Sequence, residues 1–125
     1  MNSYLRHYID GQWVESDGGR RHEVISPATE QPVSEVTLGS AADVDKAVAA
    51  ARRAFESFSM TSKEERIALL ERIVAEYQAR MPEMARAISE EMGAPISMAS
   101  TAQVGAGLGH LATGIAALRD FEFED

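Results

Sequence analysis

Apolar and polar positions alternate over the first third of the chain. From there to near its end, apolar residues recur at helical spacing. Tyr8-Ile9-Asp10-Gly11-Gln12-Trp13-Val14 reads as strand, tight turn and strand. Asp-Gly between β-formers is a hairpin signal because Gly accepts the positive φ of a type I′ turn. Asp17-Gly18-Gly19 marks a second turn. His22 to Ile25 is extended, and Ser26-Pro27 closes it, since a residue before proline avoids the helical region. Gln31 to Leu38 is another strand, with Val36 and Leu38 on one face and Gly39 at its end. Residues 1–39 are therefore expected to form short antiparallel strands.

Residues 40–120 read as about four helices. Ser40 with Asp43 resembles a capping box, in which a side-chain oxygen takes an orphan helix N–H. Val44, Ala47, Val48, Ala51, Phe55 and Phe58 follow as one apolar stripe. Ser62 with Glu65 opens a second helix, with Ile67, Leu70, Ile73, Val74 and Tyr77 on its apolar face. Pro82 loses no hydrogen bond in the first turn of a helix, so a third is expected over Pro82 to Met92. Gly93 is placed to end it in the left-handed conformation, and Pro95 restarts the chain. A fourth helix, about Ser97 to Leu118, carries Val104, Leu108, Leu111, Ile115 and Leu118 on one face. Phe121 and Phe123 then alternate with acids like a half-buried strand without a partner, so the chain looks cut. No linker, repeat or low-complexity segment divides it.

The 125 residues suit one domain, and 45 % hydrophobic content suffices for a core. The balance of 12 Lys+Arg against 20 Asp+Glu, net −8, argues against nucleic acid, whose phosphates need clustered cations. No stretch approaches the roughly 20 apolar residues of a spanning helix. The first ten residues lack the apolar core of a signal peptide, so neither membrane nor export is expected and a cytoplasmic protein is the default. With no Cys, the chain holds no disulfide, thiolate zinc site or cysteine nucleophile.

Candidate chemistry is thin. Gly107-Leu108-Gly109-His110-Leu111-Ala112 fits G-x-G-x-x-A, the dinucleotide fingerprint. That chemistry needs a strand-to-helix turn, whereas Gly105 to Gly114 falls inside a helical pattern. Small residues on a closely packed helix, or a locally broken helix, are the readings favoured. His110 has no nucleophile and orienting group to serve as general base, and reads as a packed or surface histidine. His7 and His22 lack a second ligand at metal spacing. Glu64-Glu65 and Glu90-Glu91 point to different helix sectors and read as solvated surface. Met81, Met84, Met92 and Met98 read as core filling. No catalytic, cofactor-binding or metal-ligating residue is assigned.

The order of segments resembles the amino-terminal part of the aldehyde dehydrogenase superfamily. Tyr8 to Val14 is similar to its opening Y-I-x-G-x-W-V hairpin, and Ser26-Pro27-Ala28-Thr29-Glu30-Gln31-Pro32-Val33 to its N-P-A-T-G-E-x-(V/I) segment. Asp43 to Phe55 resembles D-V-D-x-A-V-x-A-A-x-x-A-F, Arg66 with Leu69-Leu70 resembles R-x-x-(L/I)-L, and Glu91-Met92-Gly93-Ala94-Pro95 resembles E-x-G-K-P. Ser26, Glu30 and Ala94 depart from the family's usual Asn, Gly and Lys. Gln103 falls about where many members carry a carboxylate that helps hold a monovalent cation with carbonyls near Val24 and Ile25, and an amide there weakens any such site.

The resemblance implies an α+β piece of the α/β aldehyde dehydrogenase fold: the incomplete amino-terminal part, residues 1–125, of a cofactor-binding domain. It implies NAD or NADP for the full-length enzyme, which oxidises an aldehyde to a carboxylic acid by thiolate attack and hydride transfer. The family's catalytic cysteine, general-base glutamate, oxyanion asparagine and cofactor-phosphate loop lie beyond the matched region. The chain is therefore expected to be scaffold, inactive alone and binding no cofactor alone. The remainder of the dehydrogenase chain is its expected partner. Stripes holding Val44, Val48, Phe55, Ile73, Leu108 and Ile115, with a Phe121–Phe123 strand edge, predict self-association. An independent acidic helical interaction module is the rival reading. A small enzyme built on the glycine cluster and His110 ranks last.

Overall fold

The computed structural model describes residues 2–123. Five strands precede the helices: β1 (Asn2–Tyr4), β2 (Arg6–Ile9), β3 (Gln12–Glu15), β4 (Arg20–Ile25) and β5 (Pro32–Leu38). The helical part runs α1 (Ala41–Phe58), α2 (Lys63–Ala79), α3 (Met81–Met92), α4 (Ile96–Met98), a π-helical turn (Ala99–Gln103) and α5 (Val104–Asp120). The chain divides into two compact units, Met1–Met60 and Thr61–Asp125. The division falls after α1, so α1 groups with the strands.

In the first unit, β2 and β3 form the expected hairpin, with Ile9 opposite Gln12. Asp10 and Gly11 take φ of 55° and 75°, the two positive values a type I′ turn requires. A second sheet has the order β1-β5-β4. β4 and β5 pair antiparallel, Arg20 opposite Leu38 to Val24 opposite Ser34, with an irregularity between Val24 and Ile25. β1 is parallel to β5, Tyr4 beside Val36, which corrects the expectation of antiparallel strands alone. Three residues carry too little alternation to announce a strand, and the pairing closes across about thirty residues.

α1 begins at the expected capping box: the Ser40 side chain accepts from the Asp43 N–H, and Asp43 reaches back to the Ser40 N–H. Its turns lie against β2, where Ala50 is buried. The apolar stripe stays open, with Phe55 69 % and Val44 58 % exposed.

In the second unit, Ser62 and Glu65 form the other expected capping box. Pro82 sits in the first turn of α3, and Gly93 ends that helix at φ 71°. α2 and α5 run antiparallel. At one end Lys63 Nζ donates to the Arg119 carbonyl at 2.8 Å, and Arg119 pairs with Glu71. At the other, the Tyr77 hydroxyl meets Val104. Ala85, Ala99 and Val104 form the core, with Tyr77, Met81 and Ile88 packed on it. The single fourth helix expected is interrupted by the π turn. Of its predicted face, Val104 and Ile115 are buried, while Leu108, Leu111 and Leu118 are half-buried. Ile115 is thus not part of an open stripe.

Phe121 leaves α5 in an extended conformation, but Phe121 to Phe123 form no strand. The two rings pack edge to face at 4.8 Å and stay exposed. The expected strand edge is therefore absent there, and its last part, Glu124 and Asp125, lies outside the described residues. No described helix is long and apolar enough to cross a membrane.

Candidate functional site

The densest polar constellation gathers at the start of α1. The buried Asp43 carboxylate accepts from the Asp17 N–H at 2.9 Å, the Ser40 N–H at 2.9 Å and the Ser16 hydroxyl. Ser40 Oγ donates to the Asp17 carbonyl. Lys46 Nζ meets Asp17 Oδ2 at 2.8 Å. The Asp17 and Ser16 donors, with the Ser40 N–H, hold the Asp43 carboxyl far below the ordinary aspartate range. The Asp17 carboxylate pushes the Lys46 ammonium up. A carboxylate so saturated with donors keeps its charge near neutral pH, where a general acid or base must exchange its proton. This cluster instead fastens the β3–β4 turn to the helix. His7 Nε2 lies beside it, buried and without a hydrogen-bond partner; a Cβ at Gly39 would stand 3.6 Å from it and 3.7 Å from Asp43 Oδ2.

The glycine run lies inside a helix, and of its four glycines only Gly107 is closely packed. Gly105 to Gly114 all lie within α5, which continues the π turn without a preceding strand. Phosphate binding needs free N–H groups at a helix start, and those of Gly107 and Gly109 are inside the helix. A Cβ at Gly107 would collide with the Tyr77 hydroxyl, whereas Gly105, Gly109 and Gly114 face open space. The break in the helix lies upstream of the glycines, at Ala99–Gln103.

The other candidates stay apart. His110 is exposed. His22 is exposed on β4 opposite Val36. Glu64, Glu65, Glu90 and Glu91 are exposed. Among the described residues no group of three or more His, Asp and Glu could hold a metal. Gln103 Oε1 is buried and without a partner. Of the methionines, Met84, Met92 and Met98 are exposed and Met81 packs on the core, so core filling holds for one of the four. A hollow on α2 and α3, lined by Ile73, Tyr77 and Met84, carries the Arg80–Glu83 ion pair at 3.0 Å and no nucleophile.

Comparison with known proteins gives the family of this chain. A model of the aldehyde dehydrogenase family matches residues 13–124. The chain belongs to the aldehyde dehydrogenase family. It is 49 % identical over its whole length to a 3-succinoylsemialdehyde-pyridine dehydrogenase of a Pseudomonas species, of which it spans 26 %. It is 45 % identical to a putative aldehyde dehydrogenase of Staphylococcus aureus, again spanning 26 %. Its fold matches a crystal structure of aldehyde dehydrogenase from Bartonella henselae with a TM-score of 0.97 at 39 % identity, covering all of this chain and 26 % of that one. It matches aldehyde dehydrogenase C of Pseudomonas syringae, solved with NAD+ and octanal, with a TM-score of 0.93 at 43 % identity, over 97 % of this chain and 25 % of that one. The chain thus spans about a quarter of the length of the curated relatives it matches, and its α+β order of strands then helices is that of the amino-terminal part of the aldehyde dehydrogenase structures.

Sequence reasoning found the Ser40–Asp43 box but missed its reach to Ser16 and Asp17. The signal available was weak: two short polar residues before a turn, 26 and 27 positions away. It also missed the contact that requires Gly107.

Proposed function

We propose that this chain is the amino-terminal scaffold of an NAD(P)-dependent aldehyde dehydrogenase and has no activity by itself. The observation that carries the reading is likeness along the whole chain to dehydrogenases about four times its length, in a sequence without Cys. Oxidising an aldehyde by the family's route needs a thiolate to form a thiohemiacetal before hydride leaves. The chain supplies no thiolate, and the strongly perturbed carboxylate of Asp43 is committed to structure. The remainder of the dehydrogenase chain would supply the nucleophile and the cofactor site, and with them the choice of aldehyde. It would also cover the α1 stripe of Val44, Val48, Phe55 and Phe58, left exposed here. A patch of that kind is uncommon on an isolated protein. A cytoplasmic setting is part of the same reading.

The test is a cofactor-reduction assay on the purified 125-residue chain with a panel of aldehydes, its length verified by mass spectrometry. No turnover and no saturable NAD or NADP binding at millimolar cofactor are expected. Turnover that survives removal of any longer dehydrogenase, or micromolar cofactor affinity lost on Gly107→Val, would overturn the reading.

A further inference from the structure

We infer that the open edge of β4 is self-complementary and pairs antiparallel with β4 of a second copy, centred on His22. β4 stands at the end of the β1-β5-β4 order, with no strand on its other side among the described residues. Arg20, Arg21, His22 and Glu23 are all exposed. An edge strand carries unpaired N–H and C=O groups that template another strand, and charged side chains ordinarily discourage the wrong partner. Here the charges fit one partner, the same strand reversed.

The register follows from symmetry. A two-fold axis perpendicular to the sheet keeps like faces together, so facing residues differ by an even number of positions. With the axis at His22, Arg21 of each copy stands opposite Glu23 of the other, giving two opposite-charge pairs on one face. Centring on Arg21 puts Gly19 opposite Glu23, and centring on Glu23 puts Arg21 opposite Ile25. Neither pairs opposite charges.

The resident contacts favour the same arrangement. Glu23 sits directly opposite Glu35 on β5, a like-charge pair. Arg21 reaches Glu35 diagonally at a long 3.5 Å. The second copy would bring its own Arg21 to the far side of Glu23, so that each carboxylate gains a guanidinium neighbour. Arg20, Arg21, Glu23 and Glu35 also balance to zero charge in a chain of net −8. This edge is therefore a place where two copies can approach with little mutual repulsion. The inference concerns the 125-residue chain as such and does not depend on the dehydrogenase reading.

Charge exchange tests it. Sedimentation equilibrium should show the chain dimerising, with the amides of β4 gaining hydrogen-exchange protection as concentration rises. Arg21→Glu alone, or Glu23→Arg alone, should weaken association by about tenfold or more, because each turns both pairs into like-charge pairs. An equimolar mixture of the two variants should associate as a heterodimer, since Glu now faces Arg at both places, and the double variant should recover dimerisation. Circular dichroism checks that each variant is folded; if one is not, the concentration-dependent protection of β4 in the unaltered chain decides. A monomer up to millimolar concentration, β4 amides indifferent to concentration, or dimerisation unchanged by the single exchanges would overturn the inference.

Discussion

The Tyr77 hydroxyl donates to the carbonyl of Val104 at 2.9 Å, joining the last turns of α2 to the first turn of α5. Val104 is fully buried, so its carbonyl would otherwise face the cost of an apolar setting with fewer partners. The contact exists because Gly107, one turn further along α5, has no side chain: a Cβ there would occupy the place of the hydroxyl. One of the four glycines that weaken this helix is therefore required by packing, and three are not.

Alanine substitution should separate them. Gly105→Ala, Gly109→Ala and Gly114→Ala meet open space and should each raise stability by about 0.5–1 kcal/mol, the helix-propensity difference. Gly107→Ala should show no gain or a loss, because displacing Tyr77 sacrifices a hydrogen bond worth about 1 kcal/mol. Tyr77→Phe should cost a similar amount. Urea titration of the five variants checks this, and an equal gain at Gly107 would contradict the packing account.

Acid should loosen the first unit through Asp43. The folded form holds this carboxyl's proton more weakly than the unfolded form does. Its stabilisation is accordingly complete above the ordinary aspartate range, about pH 4, and is lost as pH falls from there through the lowered folded value. Asp43→Asn should lower the melting temperature at pH 7 and flatten the stability loss on acidification. Thermal melts between pH 2 and 7 (roughly the span of carboxylate titration) read both effects.

The left-handed conformation of Glu30 favours glycine at that position. Glu30 takes φ 59° in the turn where its N–H donates to the Ser26 carbonyl at 2.8 Å. A side chain pays for that left-handed conformation with about 1 kcal/mol, which glycine avoids. Glu30→Gly should hold or raise stability by up to about 1 kcal/mol, net of glycine's greater unfolded-state freedom. Glu30→Val should lower it, since β-branched residues fit that region worst. Chemical denaturation of the two variants measures the sign.

What was legible in the sequence was local chemistry. The Asp10-Gly11 turn, the Ser40–Asp43 and Ser62–Glu65 boxes, Pro82 at a helix start and Gly93 at its end each act within four residues, and each stands as read. What was not legible depends on distant partners. β1 is a strand because β5 lies beside it, and Asp43 is buried because Ser16 and Asp17 reach it. The π turn at Ala99–Gln103 follows no residue pattern; it lies where Ala99 and Val104 both enter the core beside Ala85. The α1 stripe was read as apolar and stands exposed, but a residue pattern that marks an apolar face does not say what packs on it.

We propose that this chain supplies dehydrogenase scaffold and none of the dehydrogenase chemistry. A chimaera tests it most directly: residues 1–125 of this chain replace the matching quarter of the Pseudomonas 3-succinoylsemialdehyde-pyridine dehydrogenase. A folded chimaera should reduce the cofactor with that relative's own aldehyde, while the 125-residue chain alone should reduce none. A folded but inactive chimaera, or turnover by the chain alone, would contradict it.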